Sequence, residues 1–306
     1  MKTKFATTLI AASAAIFCAG AQADTGKLLL TGGVSSVDGA AGGGLTPWAV
    51  IGSNATDEEM GGTVYFSNLG TKDYGFNFYG AAIGFKDRFE LSIAQQDMDT
   101  RGTGTALGLP GLHLKQTIVG AKVKVAGDAI LDSDTLMPQI AVGLQYKTLA
   151  NSGFSPTLDA LGAKRSGVDV YVSATKLFLG QSLLLNATLR ATKANQNGLL
   201  GYGASLGGSE NSYSLQPEFS IGYLVSKNVV VGAEYRSMRN KLEKAGAAAG
   251  LGNGLRSSDW KDIFVAWAPT KNVSLTLAYV DLGVVVPATT ASRKQQGVYV
   301  SAQLAF

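Results

Sequence analysis

His113 is the only histidine among 306 residues, so any imidazole chemistry in this chain falls to it. A histidine general base needs a hydroxyl or thiol within hydrogen-bond reach and a third group to orient the ring. No serine pairs with it in an evident strand-turn-helix setting, the context that exposes a nucleophile. His113 falls where a glycine-rich connection re-enters a predicted strand, an ordinary place for a polar residue. One histidine and one cysteine, Cys18, exclude the usual zinc compositions. The acidic groupings Asp57-Glu58-Glu59 and Asp128, Asp132, Asp134 fall in predicted turns and lack calcium-loop spacing. Gly102-Thr-Gly-Thr-Ala-Leu-Gly108 lacks both the Lys-Ser/Thr pair and the helix that a phosphate cradle needs. The expectation is a non-enzyme with no catalytic residue, no metal and no cofactor.

What remains is a set of charges that recur on one strand parity: Glu90, Lys122, Lys124, Lys147, Asp169, Arg190, Glu218, Glu234, Arg236 and Asp262. Asn77, Gln145, Asn186 and Gln216 join them. Five of the ten are basic and five acidic. A strongly ion-selective pore lines its constriction with one sign. A mixed set reads either as the wall of a weakly selective water-filled lumen or as an interior knitted shut by salt bridges.

The elements that carry these charges alternate with period two, the period of a strand. Leu183, Leu185, Ala187, Leu189 and Ala191 oppose Asn186, Thr188, Arg190 and Thr192. Val168, Val170 and Val172 oppose Asp169, Tyr171 and Ser173. Val298, Val300, Ala302 and Leu304 oppose Tyr299, Ser301 and Gln303, and the strand ends on Phe306. Tyr146, Tyr223, Tyr235, Trp267 and Tyr279 share the apolar parity near strand ends, as interfacial girdles do. Connections alternate as well: short at 84–88, 179–182, 226–228 and 269–272, with 126–134 in phase; long at 99–111, 150–165, 196–210, 241–257 and 284–294. Outer-membrane barrels have short periplasmic turns and longer external loops. The fold class expected is therefore all-β, a transmembrane antiparallel up-and-down β-barrel. The segment from Tyr74 onward holds eleven strands, and 63–69 makes about twelve. An alternative of fourteen counts 27–34 and 47–53 as a further hairpin.

The N-terminus is consistent with export. Met1-Lys-Thr-Lys4, an alanine-rich apolar run and Ala21-Gln-Ala23 form the three parts of a signal peptide. The expected organisation is a cleaved leader 1–23, a glycine-rich segment 24–62 acting as a lumenal plug or first barrel hairpin, and a barrel over 63–306. Without Lys2 and Lys4, 24 basic residues exceed the 22 acidic ones by two. So small an excess excludes the concentrated basic surface of a nucleic-acid binder. After the leader no run of about 18 apolar residues occurs, so no spanning helix is expected.

Leu28-Leu-Leu-Thr-Gly-Gly-Val34 and Asp38-Gly-Ala-Ala-Gly-Gly-Gly-Leu-Thr-Pro-Trp-Ala-Val-Ile-Gly52 resemble an uncharacterised family of Gram-negative outer-membrane proteins, catalogued as a domain of unknown function. Tyr79-Gly-Ala-Ala-Ile-Gly-Phe85 and Phe89-Glu-Leu-Ser92 resemble its next block. The resemblance covers the chain after the leader and implies a fold and a bacterial outer-membrane location, with no substrate. A fainter similarity reaches barrels associated with uptake of aromatic or fatty compounds, at the level of fold. The expected function is a passive channel for uptake of a small-molecule solute the sequence does not name. The alternatives are a non-conducting structural or interaction barrel, and a lipid-modifying barrel enzyme using His113. Expected partners are outer-membrane lipid and the barrel-assembly machinery, reached through the C-terminal strand with Phe306 as insertion signal. The barrel is expected to be a monomer.

Overall fold

A computed structural model of the chain describes residues 30, 32–129, 136–150 and 153–306. The expected leader lies outside them, as do Asp132 and Asp134. Two short strands come first, β1 (Val34–Ser35) and β2 (Ala41–Gly42), which pair with each other in a sheet of their own. Twelve long strands follow: β3 (Met60–Thr71), β4 (Gly75–Phe85), β5 (Phe89–Asp99), β6 (His113–Ala126), β7 (Gln139–Leu149) and β8 (Ser166–Phe178). The second half is β9 (Leu183–Thr192), β10 (Ser214–Ser226), β11 (Val229–Arg236), β12 (Trp260–Thr270), β13 (Val273–Asp281) and β14 (Gln296–Ala305). Each pairs antiparallel with the next, and β14 pairs with β3, placing Val300 opposite Asn68. The ring is closed and has no free edge.

The period-two pattern sorts the faces. Leu91, Ile221 and Leu277 point out of the ring and are about half exposed, while Glu90, Ser220 and Thr276 point in and are buried. Exposing so many large apolar side chains contiguously is tolerable against lipid and not against water. Tyr146, Tyr223, Trp267 and Tyr279 are exposed on this outer face. No helix among the described residues is long and apolar enough to cross a membrane; in this fold the strands do so.

The structure corrects two readings. The fourteen-strand alternative fails, because 47–53 forms no strand of the barrel, and β1 and β2 pair with each other and not with the ring. Asn77 faces outward, beside Asn68, whose Nδ2 donates to Asn77 Oδ1 at 2.9 Å. On β4 the inward parity belongs to Phe76 and Phe78, both buried. Apolar residues on both parities hide which face is which there.

The N-terminal region runs inside the ring. Every residue from 34 to 53 is buried. It enters and leaves at the end that carries the short turns: Asn54 Nδ2 donates to the Lys271 carbonyl at 2.6 Å, and Ser35 N to Gln303 Oε1 at 2.6 Å. Between these points it turns over, with Val37 N donating to Gly44 O at 2.7 Å. Gly39 at the turn has φ +90 and lies so close to Ala94 that a Cβ would sit 2.8 Å from the Ala94 Cβ. Only glycine meets both demands cheaply.

Candidate functional site

Asp38, at the turn of the inner segment, is the centre of the lumenal polar network. Its Oδ2 lies 2.9 Å from Arg236 Nη2 (β11), 3.4 Å from Lys147 Nζ (β7) and 3.6 Å from Arg190 Nη2 (β9). Its Oδ1 accepts from Gln96 Nε2 (β5) at 3.0 Å and from Asn197 Nδ2 at 2.7 Å. Asn197 belongs to a single turn, Gln196–Gly198, where the connection between β9 and β10 dips into the ring. Its Oδ1 accepts from Lys147 Nζ and Arg236 Nη2, each at 2.7 Å. Two more wall carboxylates complete the cluster. Asp169 (β8) lies 3.0 Å from Lys147 Nζ, and Glu218 (β10) 2.5 Å from Arg190 Nε and 3.4 Å from Arg236 Nε. Three cations thus face three carboxylates, all nearly inaccessible. Buried charges persist only when paired in this way.

Further contacts fix the rest of the inner segment, mostly through its backbone. Glu90 (β5) accepts from Ala41 N at 3.1 Å and Gly52 N at 2.8 Å. Lys122 (β6), 3.2 Å from Glu90, donates to the carbonyls of Ala41 and Trp48. Glu234 (β11) accepts from Leu45 N at 2.8 Å and Thr46 Oγ1 at 2.7 Å. Gln139 Nε2 donates to Ala49 O, and Ala49 N donates to Thr175 Oγ1. A buried backbone whose own sheet covers only two residue pairs needs such partners elsewhere.

The structure brings together eight of the ten charges singled out from sequence: Glu90, Lys122, Lys147, Asp169, Arg190, Glu218, Glu234 and Arg236. Asp262 also points inward, across from Glu234 in the strand register and beside Val37 and Leu45 on the wall of a small cavity, with Oδ1 buried and unpartnered. Lys124 departs from the set. It sits at the short-turn end, 2.6 Å from Asp87 and 3.9 Å from Asp128, because the wall parity runs out where the strand shifts register between Lys124 and Ala126. Phe306 closes the ring at the same end: its N donates to Gly62 O, and its O accepts from Gly62 N. Sequence reading passed over Asp38, Gln96 and Asn197. Asp38 was visible only as part of a glycine-rich motif, and a loop asparagine gives no signal that it turns inward.

His113 lies on the outer parity, with Nδ1 2.6 Å from Asp97 Oδ1 and Lys115 Nζ 3.4 Å from Asp97 Oδ2. This pair orients an imidazole, but no hydroxyl joins it among the described contacts. Ser205, within Gly203-Ala-Ser-Leu-Gly207, has the letters of a nucleophile motif. It occupies an exposed turn with no helix behind it, and its N bonds Leu161 O.

Little space is left between inner segment and wall. One cavity of about 30 Å³ lies beside Val37, Leu45, Phe76, Phe78, Trp260 and Tyr299. Another of about 20 Å³ lies below it, beside Trp48, Leu177 and Leu184. Each has room for a water or two. Above them, at the long-loop end, Arg239, Lys241 and Arg256 border an open basin of about 1310 Å³.

A family model described as "Protein of unknown function (DUF3034)" matches residues 31–303. The chain belongs to that family. The resemblance read from the N-terminal glycine-rich motif is borne out. Solved barrels share the family member's architecture. The KdgM porin aligns with a TM-score of 0.50 at 11% identity, covering 80% of this chain and 99% of that one. The NanC porin aligns at 0.50 and 8%, covering 79% and 98%. The outer membrane protein Omp33 of Acinetobacter baumannii aligns at 0.45 and 9%, covering 82% and 100%. At these identities the likeness is one of fold, and the fold is an outer-membrane-type β-barrel. No curated protein matches the sequence.

Proposed function

We propose that this protein is a channel for small solutes in the bacterial outer membrane, closed at rest by residues 34–53. The observation that carries this reading is what the lumenal charges hold. Glu90, Lys122 and Glu234 are spent on a segment that enters from one end, not on the wall alone. Twelve strands enclose a lumen wider than wall side chains alone fill, and the inner segment occupies it. A segment with both ends at the short-turn opening is one that can be withdrawn. In the same reading the outer apolar face meets outer-membrane lipid, the short-turn end is periplasmic, and one chain forms one barrel. The assembly machinery reads the strand that ends at Phe306. No catalytic step is assigned to His113.

The test is single-channel recording in planar bilayers, with folding checked by the heat-dependent gel shift of closed barrels. The full chain should give few and brief current steps. Deletion of 34–53 should give larger, long-lived ones. If the deletion variant fails to fold, the double variant Glu90→Gln, Glu234→Gln loosens the same segment and should raise open time. A folded variant of either kind with no current above the full chain refutes the channel and leaves a structural barrel.

A further inference from the structure

The arrangement around Asp38 has the form of a ligand site filled by the protein's own side chain. Four wall strands contribute to it: Gln96, Lys147, Arg190 and Arg236 all reach one carboxylate. Both carboxylate oxygens are used, Oδ2 by the cations and Oδ1 by the two amides. Charge-assisted contacts of this kind recognise a carboxylate specifically, and arginine does so best.

Charge counting gives the ligand's valence. With Asp38 in place, Lys147, Arg190 and Arg236 balance Asp38, Asp169 and Glu218. With Asp38 withdrawn this cluster keeps three cations and two carboxylates, an excess of one. A buried unpaired cation is costly, so withdrawal is opposed unless another anion takes the place of the lost one. The wall beside this position is mostly apolar and aromatic: Phe76, Phe78, Trp260 and Tyr299 line the adjoining cavity, together with the Asp262 carboxylate. The basin at the long-loop end has three basic residues against Glu243 and Asp259, and a field of that sign concentrates anions at the mouth.

We infer that the Lys147, Arg190 and Arg236 cluster is the binding site for the channel's solute, a small monocarboxylate with an apolar body, and that Asp38 occupies it in the closed state as an internal competitor. This rests on the channel reading and gives that channel both selectivity and a trigger. A solute that supplies one carboxylate restores the balance that withdrawing Asp38 upsets. A neutral solute of the same shape cannot. Binding and opening are then linked, because the solute prefers the state in which the inner segment has moved.

Benzoate is the probe, with benzyl alcohol as its neutral counterpart and acetate as the carboxylate without an apolar body. The measurements are made on the folded full chain in micelles at matched ionic strength. Hydrogen exchange over residues 34–47 should speed up with benzoate and stay unchanged with benzyl alcohol. Calorimetric titration should show Asp38→Asn binding benzoate at least about tenfold more tightly than the unaltered chain, since no internal carboxylate competes. Adding Arg236→Gln to that variant should abolish the gain, and acetate should bind more weakly than benzoate. Equal exchange effects of benzoate and benzyl alcohol would overturn the inference, as would a folded Asp38→Asn variant with no benzoate binding. If Asp38→Asn fails to fold, the exchange comparison on the unaltered chain decides alone. These measurements involve no current. Benzoate binding to a barrel that never conducts would sink the channel and spare the site. Current from the deletion variant with no benzoate binding would do the reverse.

Discussion

Asp38 is held in its charged form by its surroundings, and this sets how the lumenal network answers acid. Burial alone would push its carboxyl up, but Arg236, Lys147 and Arg190, with the Asn197 amide, outweigh burial and hold it well below the usual carboxylate range. The other groups that face it are the Gln96 amide and, through the shared cations, Asp169 and Glu218. A carboxyl whose pKa is lowered on folding stabilises the folded arrangement above its ordinary value of 3.8. That stabilisation is lost only as pH falls below this value, and completely only below the lowered one. Hydrogen exchange over 34–47, corrected for its intrinsic pH dependence, should therefore be the same at pH 7 and pH 5 and rise only below about pH 4. Release between pH 7 and pH 5 would show that Asp38 does not set the acid response of the segment. The wall residues of this cluster were legible in the sequence because a charge on a barrel strand has only one parity open to it. Asp38 was not, since it lies in a segment with no period, where parity has no meaning.

At the scale of paired strands, glycine explains how an aromatic side chain fits inside a wall that is also charged. Gly143 on β7 lies opposite Tyr171 on β8, and a Cβ on Gly143 would sit 2.2 Å from the Tyr171 Cζ. The same arrangement recurs at Gly232 with Phe264 and at Gly80 with Tyr65. In each the ring occupies the space that a side chain at the glycine would otherwise take. Tyr171 in turn carries the Arg190 guanidinium, 5.3 Å from its ring centroid. Gly143→Ala should displace the ring and cost about 1–3 kcal/mol, the usual range for overpacking a filled interior. The urea midpoint for unfolding from micelles measures it, and Tyr171→Ala in the same chain should relieve the clash and make Gly143→Ala nearly neutral. Additive costs would mean the two residues do not meet. The strands themselves were readable from alternation and from the phase of short and long connections. These cross-strand pairs were not, because they depend on register, and register follows from closure of the whole ring.

Over the whole molecule, two surfaces of opposite character share one sheet, and their separation is what makes the barrel a membrane protein with something inside it. The outer parity is legible in the sequence because lipid tolerates few polar substitutions. The path of 34–53 was not, because what holds it is largely its backbone N–H and C=O groups, which every sequence possesses. The claim that the outer face meets hydrocarbon has a quantitative consequence that depends on depth. Leu277 sits at the middle of β13, is about half exposed, and lies between Val265 and Val300 on the neighbouring strands. Gln296 begins β14 at the long-loop rim, where Tyr279 Oη and Asp281 already supply polar company. Leu277→Arg should cost about 2–4 kcal/mol and Gln296→Arg about 0–1 kcal/mol, measured by reversible unfolding from lipid vesicles. The difference between the two is the informative quantity, since both replace a surface residue on the same sheet with the same cation. Equal costs would mean that water bathes the outer face at both heights. The exposed apolar belt would then have to be covered by protein.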